Sequence, residues 1–317
     1  RDLHSFPTRR SSDLLQLLCS CNHKDLEYEG AADVMVSFDW TRCPDASPTN
    51  MRLAVFKNDK QPIEIPFAPE GGSTTLTTGE YGFIAYNSES DVLSASGSTY
   101  QDFEISSRPT TLASFSPMFA ERRAPRASGT DNQIYVFCPD PLWTSARETT
   151  LSTNTSSILF PMQAATVEYT FVINNVQNLS TVREIAGTLS GMSCSWLPVA
   201  GRCSDTHCLM PFEVSTDGKS TITARVRSFG HCPGDDDSEH FLVIYAMLND
   251  LSKWYYTFDV TEALHDANHH STNGEGESPE TPIVLDDLPL PQPVPAEGMG
   301  LTPQVDTWQE VMIEQTM

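Results

Sequence analysis

The sequence predicts an all-β protein made of two β-sandwich domains in tandem. Short runs in which apolar and polar residues alternate recur along the chain, and turns that contain Gly or Pro separate them. No segment keeps the helical spacing of apolar residues for three turns. The length of 317 residues favours two domains rather than one.

The first domain is expected over residues 33–145. Its first strand is predicted at 34–40, where the apolar residues Val34, Val36, Phe38 and Trp40 occupy every second position. Residues 106–131 are rich in Ser, Pro, Arg and Thr, so we expect a long exposed loop there. Further strands of this domain are predicted near residues 51–55, 63–67, 81–87, 100–105 and 133–138.

The second domain is expected over residues 165–317. Residues 146–164, dominated by Pro, Ser and Thr, are predicted to be the linker between the domains. The continuous apolar run from Phe241 to Ala246 is typical of a strand that is buried on both faces. Other strands are predicted at 167–173, 185–190, 209–215, 220–227 and 253–260, with a last one near 311–313.

Residues 1–14 do not have the composition of a signal peptide or of a folded segment. They match, residue by residue, the translation of a short-read sequencing adapter, so we expect them to be a library artefact. The arginine pair within them is therefore not interpreted as a targeting signal.

The next residues carry the pattern of a bacterial lipoprotein signal. A short apolar run ends at Leu18, the small residue Ser20 precedes Cys21, and polar sequence follows at once. Cys21 is the predicted lipidation site, residues 15–20 are the end of a truncated signal peptide, and residues 21–32 are a polar tether. Acyl chains on Cys21 would attach the protein to the outer membrane at the cell surface.

The charge balance excludes some classes of partner. The chain has 42 acidic and 19 basic residues and a net charge of −23, so it repels the phosphate backbone of nucleic acids. It contains no run of about 18 apolar residues that would predict a membrane-spanning helix.

The cysteines leave two interpretations open. In an exported protein they are expected to form disulfides, although the pairing cannot be read from the sequence. Because several of them cluster with His207, His231 and His240, a zinc site is the alternative, but no Cys-x-x-Cys pair is present and we predict no metal site. The acidic segment 234–239 lacks the ligand spacing of a calcium loop and is predicted to be a surface turn. The cysteines beyond Cys21 are Cys43, Cys138, Cys194, Cys203, Cys208 and Cys232.

The sequence offers no catalytic motif. It has no Gly-x-Ser-x-Gly turn, no His-Glu-x-x-His pair and no phosphate-binding loop, so we predict neither an enzyme nor a bound cofactor. The aromatic residues Trp254, Tyr255, Tyr256 and Phe258 could form a platform for a sugar ring. Alternating burial along a strand explains the same residues more simply.

Several segments, in order along the chain, resemble the fimbrillin-like lipoproteins of Bacteroidetes bacteria. The chain is most similar to a branch described only as a domain of unknown function. The resemblance covers nearly all of residues 21–317. The segments that carry it are residues 21–26, 36–40, 44–46, 51–56, 71–72, 79–81, 86–87, 103–105, 172–179, 189–192 and 305–311.

This resemblance implies two transthyretin-like, Greek-key β-sandwich domains and a role as a fimbrial subunit, anchor or adhesin. Related pilins lose an N-terminal strand to an arginine-specific protease, and a strand from the next subunit then fills the groove. Arg42 directly follows the first predicted strand, where such a cut would fall, and Cys43 and Pro44 come next. A subunit that keeps its lipid anchor is the alternative to processing at Arg42, and an ordinary exposed arginine is the simplest explanation.

A glycan-binding surface lipoprotein of a nutrient-uptake system is the rival function. An exposed aromatic platform would favour glycan binding, whereas a replaceable terminal strand would favour assembly with other fimbrial subunits.

Overall fold

A computed structural model describes residues 30–58, 60–120, 123–231, 238–269, 281–293 and 307–311. The predicted all-β fold is confirmed, because strands dominate and the two α-helices are short. Within these ranges no helix has the length and apolar character needed to cross a membrane. The predictions for residues 1–14, residues 15–20 and Cys21 lie outside the described residues.

The strands are β1 (Ala31–Asp39), β2 (Met51–Phe56), β3 (Ile63–Phe67), β4 (Gly72–Thr77), β5 (Gly79–Asn87), β6 (Leu93–Ser96), β7 (Glu104–Ser107), β8 (Ile134–Tyr135), β9 (Trp143–Leu151), β10 (Ser157–Pro161), β11 (Gln163–Ala164), β12 (Val167–Asn174), β13 (Val182–Ser193), β14 (Ser195–Leu197), β15 (Arg202–Cys203), β16 (His207–Thr216), β17 (Ile222–Ser228), β18 (Phe241–Leu248), β19 (Lys253–Asp259), β20 (Ile283–Asp286) and β21 (Trp308–Val311). The α-helices are α1 (Leu112–Phe115) and α2 (Thr261–His269), and single 3-10 turns occupy Pro117–Phe119 and Leu179–Thr181.

The first sandwich packs a three-stranded sheet on a five-stranded sheet. The small sheet has the order β10-β1-β4, and the larger has the order β11-β9-β5-β2-β3. Alternate residues of each strand fill the space between them, so Val36 of β1 and Leu53 of β2 belong to one buried cluster. Phe160 lies at its centre. The centroid of its ring is 6.1 Å from the ring centroid of Phe38 and 6.1 Å from that of Phe83.

The second sandwich is one long sheet folded over on itself. Its order is β20-β12-β17-β16-β13-β18-β19-β21, and β16 makes the corner, pairing with β13 through one part of its length and with β17 through the other. Tyr169 of β12 and Tyr256 of β19 come from distant strands yet lie in one buried cluster, which shows that the two halves face each other. The apolar run 241–246 is a central strand that is almost entirely buried, as predicted.

Residues 146–164, predicted to be a linker, instead form strands of the first sandwich. β9 pairs with β5 along its length, and β10 pairs in parallel with β1. The Ser and Thr content hides an alternation in which Ile158, Phe160 and Met162 point into the core. Thr is also a favourable strand residue, so the composition alone gave the wrong prediction here.

Residues 106–131, predicted to be an exposed loop, instead include a covering segment that packs on the second sandwich. Leu112, Met118 and Phe119 are buried against the outer face of β13 and β18. The hydroxyl of Tyr245 on β18 donates a hydrogen bond to the carbonyl of Pro125 at 2.6 Å. The few apolar residues of this segment have no regular spacing, so a periodicity analysis could not detect their burial.

A third, four-stranded sheet joins the two halves of the chain. Its order is β15-β14-β7-β6, so two strands come from each side of the expected domain boundary. Phe56 and Phe103 from the first half share a buried cluster with Cys203 and Phe229 from the second. The two sandwiches are therefore held together by a shared sheet and a shared core.

Candidate functional site

β1 holds the small sheet of the first sandwich together. Its residues 31–36 pair with β4 in antiparallel orientation, and its residues 35–39 pair with β10 in parallel orientation. In the described part of the chain, β4 and β10 have no other ladder partner. Removing β1 would therefore leave a groove between two strands that each lack a partner.

The two faces of β1 have different environments. Val34 and Val36 are completely buried and Phe38 is 8% exposed, whereas Met35 is 51% exposed. On the outer face the Thr75 hydroxyl donates a hydrogen bond of 2.6 Å to the Asp33 carboxylate. The groove under β1 consequently accepts alternate apolar side chains, which is the arrangement that lets an added strand be recognised by its sequence.

Gly71 fixes the approach of the β4 hairpin to β1. Its φ is +96°, and a Cβ at this position would lie 2.1 Å from the carbonyl oxygen of Val36. Only glycine fits both the backbone conformation and the space.

Arg42, the predicted processing site, lies in an exposed turn directly after β1. The next residue closes that turn, since the Cys43 amide donates a 2.8 Å hydrogen bond to the Trp40 carbonyl. The Cys43 side chain is buried, and burial raises the pKa of its thiol. Trp40 is half-buried, donates from its indole nitrogen to the Pro69 carbonyl at 3.2 Å, and packs edge-on against Trp143.

The aromatic residues of β19 do not form a sugar-binding platform. Tyr256 and Phe258 are completely buried in the core of the second sandwich. Trp254 and Tyr255 are half-buried, and β21 pairs with this same strand from Lys253 to Tyr256. The structure thus agrees with the interpretation of alternating burial.

An open cleft lies on the first sandwich beside Tyr100. It has a volume of about 440 Å³ and is lined by Phe56, Tyr81, Glu80 and Glu148 in addition to the Tyr100 ring. Burial and the nearby Glu148 carboxylate raise the pKa of Tyr100 to about 12. The sequence did not single out these residues, because they come from separate strands and are common residue types.

The described cysteines, Cys43, Cys138, Cys194, Cys203 and Cys208, are free thiols in the structure. The Cys208 thiol donates a hydrogen bond to the Met192 carbonyl at 3.1 Å, and the neighbouring Cys208 side chain lowers the pKa of Cys194. Burial raises the pKa of Cys203 to about 11 and that of Cys138 to about 12. Cys232 and most of the acidic segment 234–239 lie outside the described residues.

Among the described residues, the structure brings three histidines together in one cluster. His231 and His240, two of the histidines considered from the sequence, lie beside His265. Sequence reasoning missed His265, because it belongs to a polar helix far from the other two in the chain.

The chain resembles known proteins in sequence family and in fold. A family described as "Domain of unknown function (DUF5119)" matches residues 20–213. No curated protein matches the chain.

Three solved structures are similar to this chain to different degrees. A candidate adhesin from Bacteroides ovatus is 18% identical and has a TM-score of 0.61, and the match covers 92% of this chain and all of that one. A candidate polysaccharide-binding protein (DUF1812) from Bacteroides thetaiotaomicron is 11% identical with a TM-score of 0.52, over 78% of this chain and 89% of that one. The fimbrial anchor protein Mfa2 from Porphyromonas gingivalis is 13% identical with a TM-score of 0.45, over 75% and 85% of the two chains.

At 18% and 11% identity, the first two structures establish a shared fold. The family match spans more than half of the chain, and it agrees with the resemblance to a branch of unknown function. This protein therefore belongs to the DUF5119 family and has the β-sandwich fold of the candidate adhesin from Bacteroides ovatus.

Proposed function

We propose that this protein is a lipid-anchored, fimbrillin-like subunit of the cell surface that assembles with other fimbrial subunits by β-strand addition. The observation that carries the proposal is the position of β1, which is the only ladder partner of β4 and β10 among the described residues. The fold shared with a candidate adhesin supports a surface role.

The groove under β1 is suited to bind a replacement strand. Burial of Val34, Val36 and Phe38 contributes roughly 1.5–3 kcal/mol for each side chain. The backbone groups of β4 and β10 add hydrogen bonds that any extended strand can form. Affinity then comes mainly from the backbone, and specificity comes from the apolar residues at alternate positions.

Cleavage after Arg42 would change two properties at once. It would separate β1 from the rest of the sandwich, and it would separate the body of the protein from the proposed anchor at Cys21. An uncut chain keeps both, so it would act as a membrane-attached basal subunit. The closed turn at Trp40 and Cys43 favours the uncut form until that turn opens.

Strand addition can be tested without relying on Arg42. A recognition site for a specific protease is inserted in the turn at residues 45–48, the chain is cut there, and a labelled peptide of residues 30–41 is offered to it. We expect the wild-type peptide to exchange into the groove, as measured by fluorescence anisotropy.

Two peptide variants make this test specific. A Met35→Asp peptide should still bind, because Met35 is 51% exposed, whereas a Val36→Asp peptide should not, because Val36 is completely buried. Equal binding of both variants, or no binding of the wild-type peptide to the cut protein, would contradict the proposal.

Processing is tested with an arginine-specific protease on the folded protein. Cleavage should yield a product that starts at Cys43 and should be lost in Arg42→Gln. Arg52→Gln is the matched control, because Arg52 lies within β2 and is paired with Glu64 at 2.7 Å. A protein that is never cut after Arg42 would be a permanent anchor rather than a processed subunit.

Lipid attachment is tested by completing the truncated signal peptide upstream of residue 15, so that Cys19, Ser20 and Cys21 are all kept. Cys21→Ala should abolish labelling by a fatty-acid analogue and release the protein from membranes, while the thermal unfolding midpoint stays the same. Cys19→Ala is the control and should remain labelled. Absence of label on the unmutated protein would remove the lipoprotein part of the proposal.

Glycan binding is the second candidate function, and the cleft at Tyr100 is the observation that favours it. An aromatic ring beside the Glu80 and Glu148 carboxylates offers a stacking surface and hydrogen-bond acceptors for hydroxyl groups. A screen of surface polysaccharides would support this function if binding is detected and is lost in Tyr100→Ala. Binding that persists in Tyr100→Ala would exclude this cleft as the glycan site.

A further inference from the structure

Three histidines converge at one end of the second sandwich. His231 follows β17, His240 directly precedes β18, and His265 lies in α2. One ring nitrogen from each of them lies within 4.8 Å of the other two. The ring centroids are 5.1 Å apart for His231 and His265, 5.2 Å for His240 and His265, and 6.1 Å for His231 and His240.

These distances are close to those of a metal site. Zinc binds histidine nitrogens at about 2.0–2.1 Å in a tetrahedral arrangement, which places the nitrogens about 3.3 Å from one another. The three nitrogens lie within 4.8 Å of one another, so their separations exceed that value by at most about 1.5 Å.

The surroundings of His240 orient its ring for metal binding. Its Nδ1 lies 3.2 Å from the Ser190 carbonyl oxygen, which can only accept a hydrogen bond, so Nδ1 carries the proton and Nε2 carries the lone pair. A histidine that ligates a metal usually donates its other N–H group to a carbonyl or carboxylate in this way.

The backbone at Gly191 makes room for this ring. Its φ is +79°, and a Cβ there would lie 2.6 Å from Nδ1 of His240. Because position 191 has no side chain, the His240 ring can lie close to β13. At this point β13 has a β-bulge, which shifts its register with β16 between Leu189 and Met192.

His265 gives an independent indication of a ligand. Its Nε2 is buried and has no hydrogen-bond partner among the described residues. A buried polar atom without a partner costs free energy, and a bound cation at the centre of the cluster would satisfy it.

We propose that His231, His240 and His265 bind one Zn²⁺ ion, with a water molecule as the fourth ligand. The three ligands come from the segment after β17, the residue before β18 and the helix α2, so the ion would join α2 to the end of the sandwich. Imidazole nitrogens favour zinc and other late first-row metals over Mg²⁺ or Ca²⁺. The site is separate from β1 and from strand addition.

The test uses the full chain, freed of metal with a chelator, and Co²⁺ as a spectroscopic substitute for Zn²⁺. We expect one Co²⁺ ion per chain, with the visible absorption of a tetrahedral site and no thiolate charge-transfer band, and displacement by Zn²⁺. His265→Gln and His231→Gln should each weaken Zn²⁺ binding about 100-fold or more in competition with a chromophoric chelator, because losing even the outer-shell partner of a ligand typically costs about 10–100-fold. His265 and His231 are only half-buried, so these variants should fold.

The double variant His269→Gln/His270→Gln is the matched control. It removes two adjacent imidazoles that lie close to His265 in sequence, and it should keep the affinity of the unmutated chain. Unchanged affinity in His265→Gln, a thiolate band, loss of binding in the double variant, or no stoichiometric binding would each overturn the proposal.

Discussion

The substitution Val36→Ala tests whether β1 lies in the register that creates the groove. The Val36 side chain is completely buried between the two sheets of the first sandwich. Replacing it removes two methyl groups, which corresponds to about 1.5 kcal/mol of transfer free energy. The cavity left in the core raises the expected loss of unfolding free energy to about 2–3 kcal/mol.

Met35→Ala is the control on the opposite face of the same strand. Because Met35 is 51% exposed, its truncation should change the unfolding free energy by no more than about 0.5 kcal/mol. Chemical denaturation of both variants measures these values directly. A peptide carrying Val36→Ala should also bind the emptied groove about 30–150-fold more weakly, because each 1.4 kcal/mol is a factor of ten.

A reversed order of the two effects would refute this reasoning. A shift of one residue in the register exchanges the two faces of a strand. If Met35→Ala destabilised the protein more than Val36→Ala, β1 would be paired one residue away from the register described here, and the groove would select different side chains.

Three further predictions concern backbone geometry and the thiols. Gly71→Ala should lower the unfolding free energy by at least about 1 kcal/mol more than Gly218→Ala. Both glycines have positive φ, but only at Gly71 does a backbone carbonyl lie within 2.1 Å of the added Cβ. Equal losses would show that only the backbone strain at positive φ matters and that the close carbonyl does not. In the folded protein at pH 8, the Cys138 thiol should be alkylated about a thousand-fold more slowly than a free cysteine, because only the thiolate reacts. The rate should rise as the pH approaches the pKa of about 12. Mass spectrometry of labelled peptides measures this rate. Oxidation should join Cys194 to Cys208, because their side chains are neighbours in the fold. A different pair in peptides mapped without reduction would contradict that expectation.

The sequence was sufficient to predict a strand where its buried residues repeat at a regular spacing along the chain. The pattern of Val34, Val36 and Phe38 recurs every two residues, so β1 could be predicted together with the face that it buries. The run 241–246 was equally clear, because a strand covered on both sides needs no polar positions.

The sequence was insufficient where a segment is buried by residues far away in the chain. Leu112, Met118 and Phe119 have no regular spacing, and only the neighbouring face of β13 and β18 explains why they are apolar. The four-stranded sheet that joins the halves is made of strands of two to four residues, which are too short to show a period. The histidine cluster depends in the same way on three segments that meet only after folding.

The placement of β1 has a mechanical consequence. A force on the N-terminal side of the chain reaches the folded body through β1, which pairs with β4 along its first part and with β10 along its last part. A pull along the strand axis loads these ladder hydrogen bonds in shear, so many of them must break together rather than one after another. Forced unfolding is governed by the rate of unfolding, and this geometry slows it. The strand that closes the sandwich is thus also a clamp that resists traction on the N-terminal end of the chain.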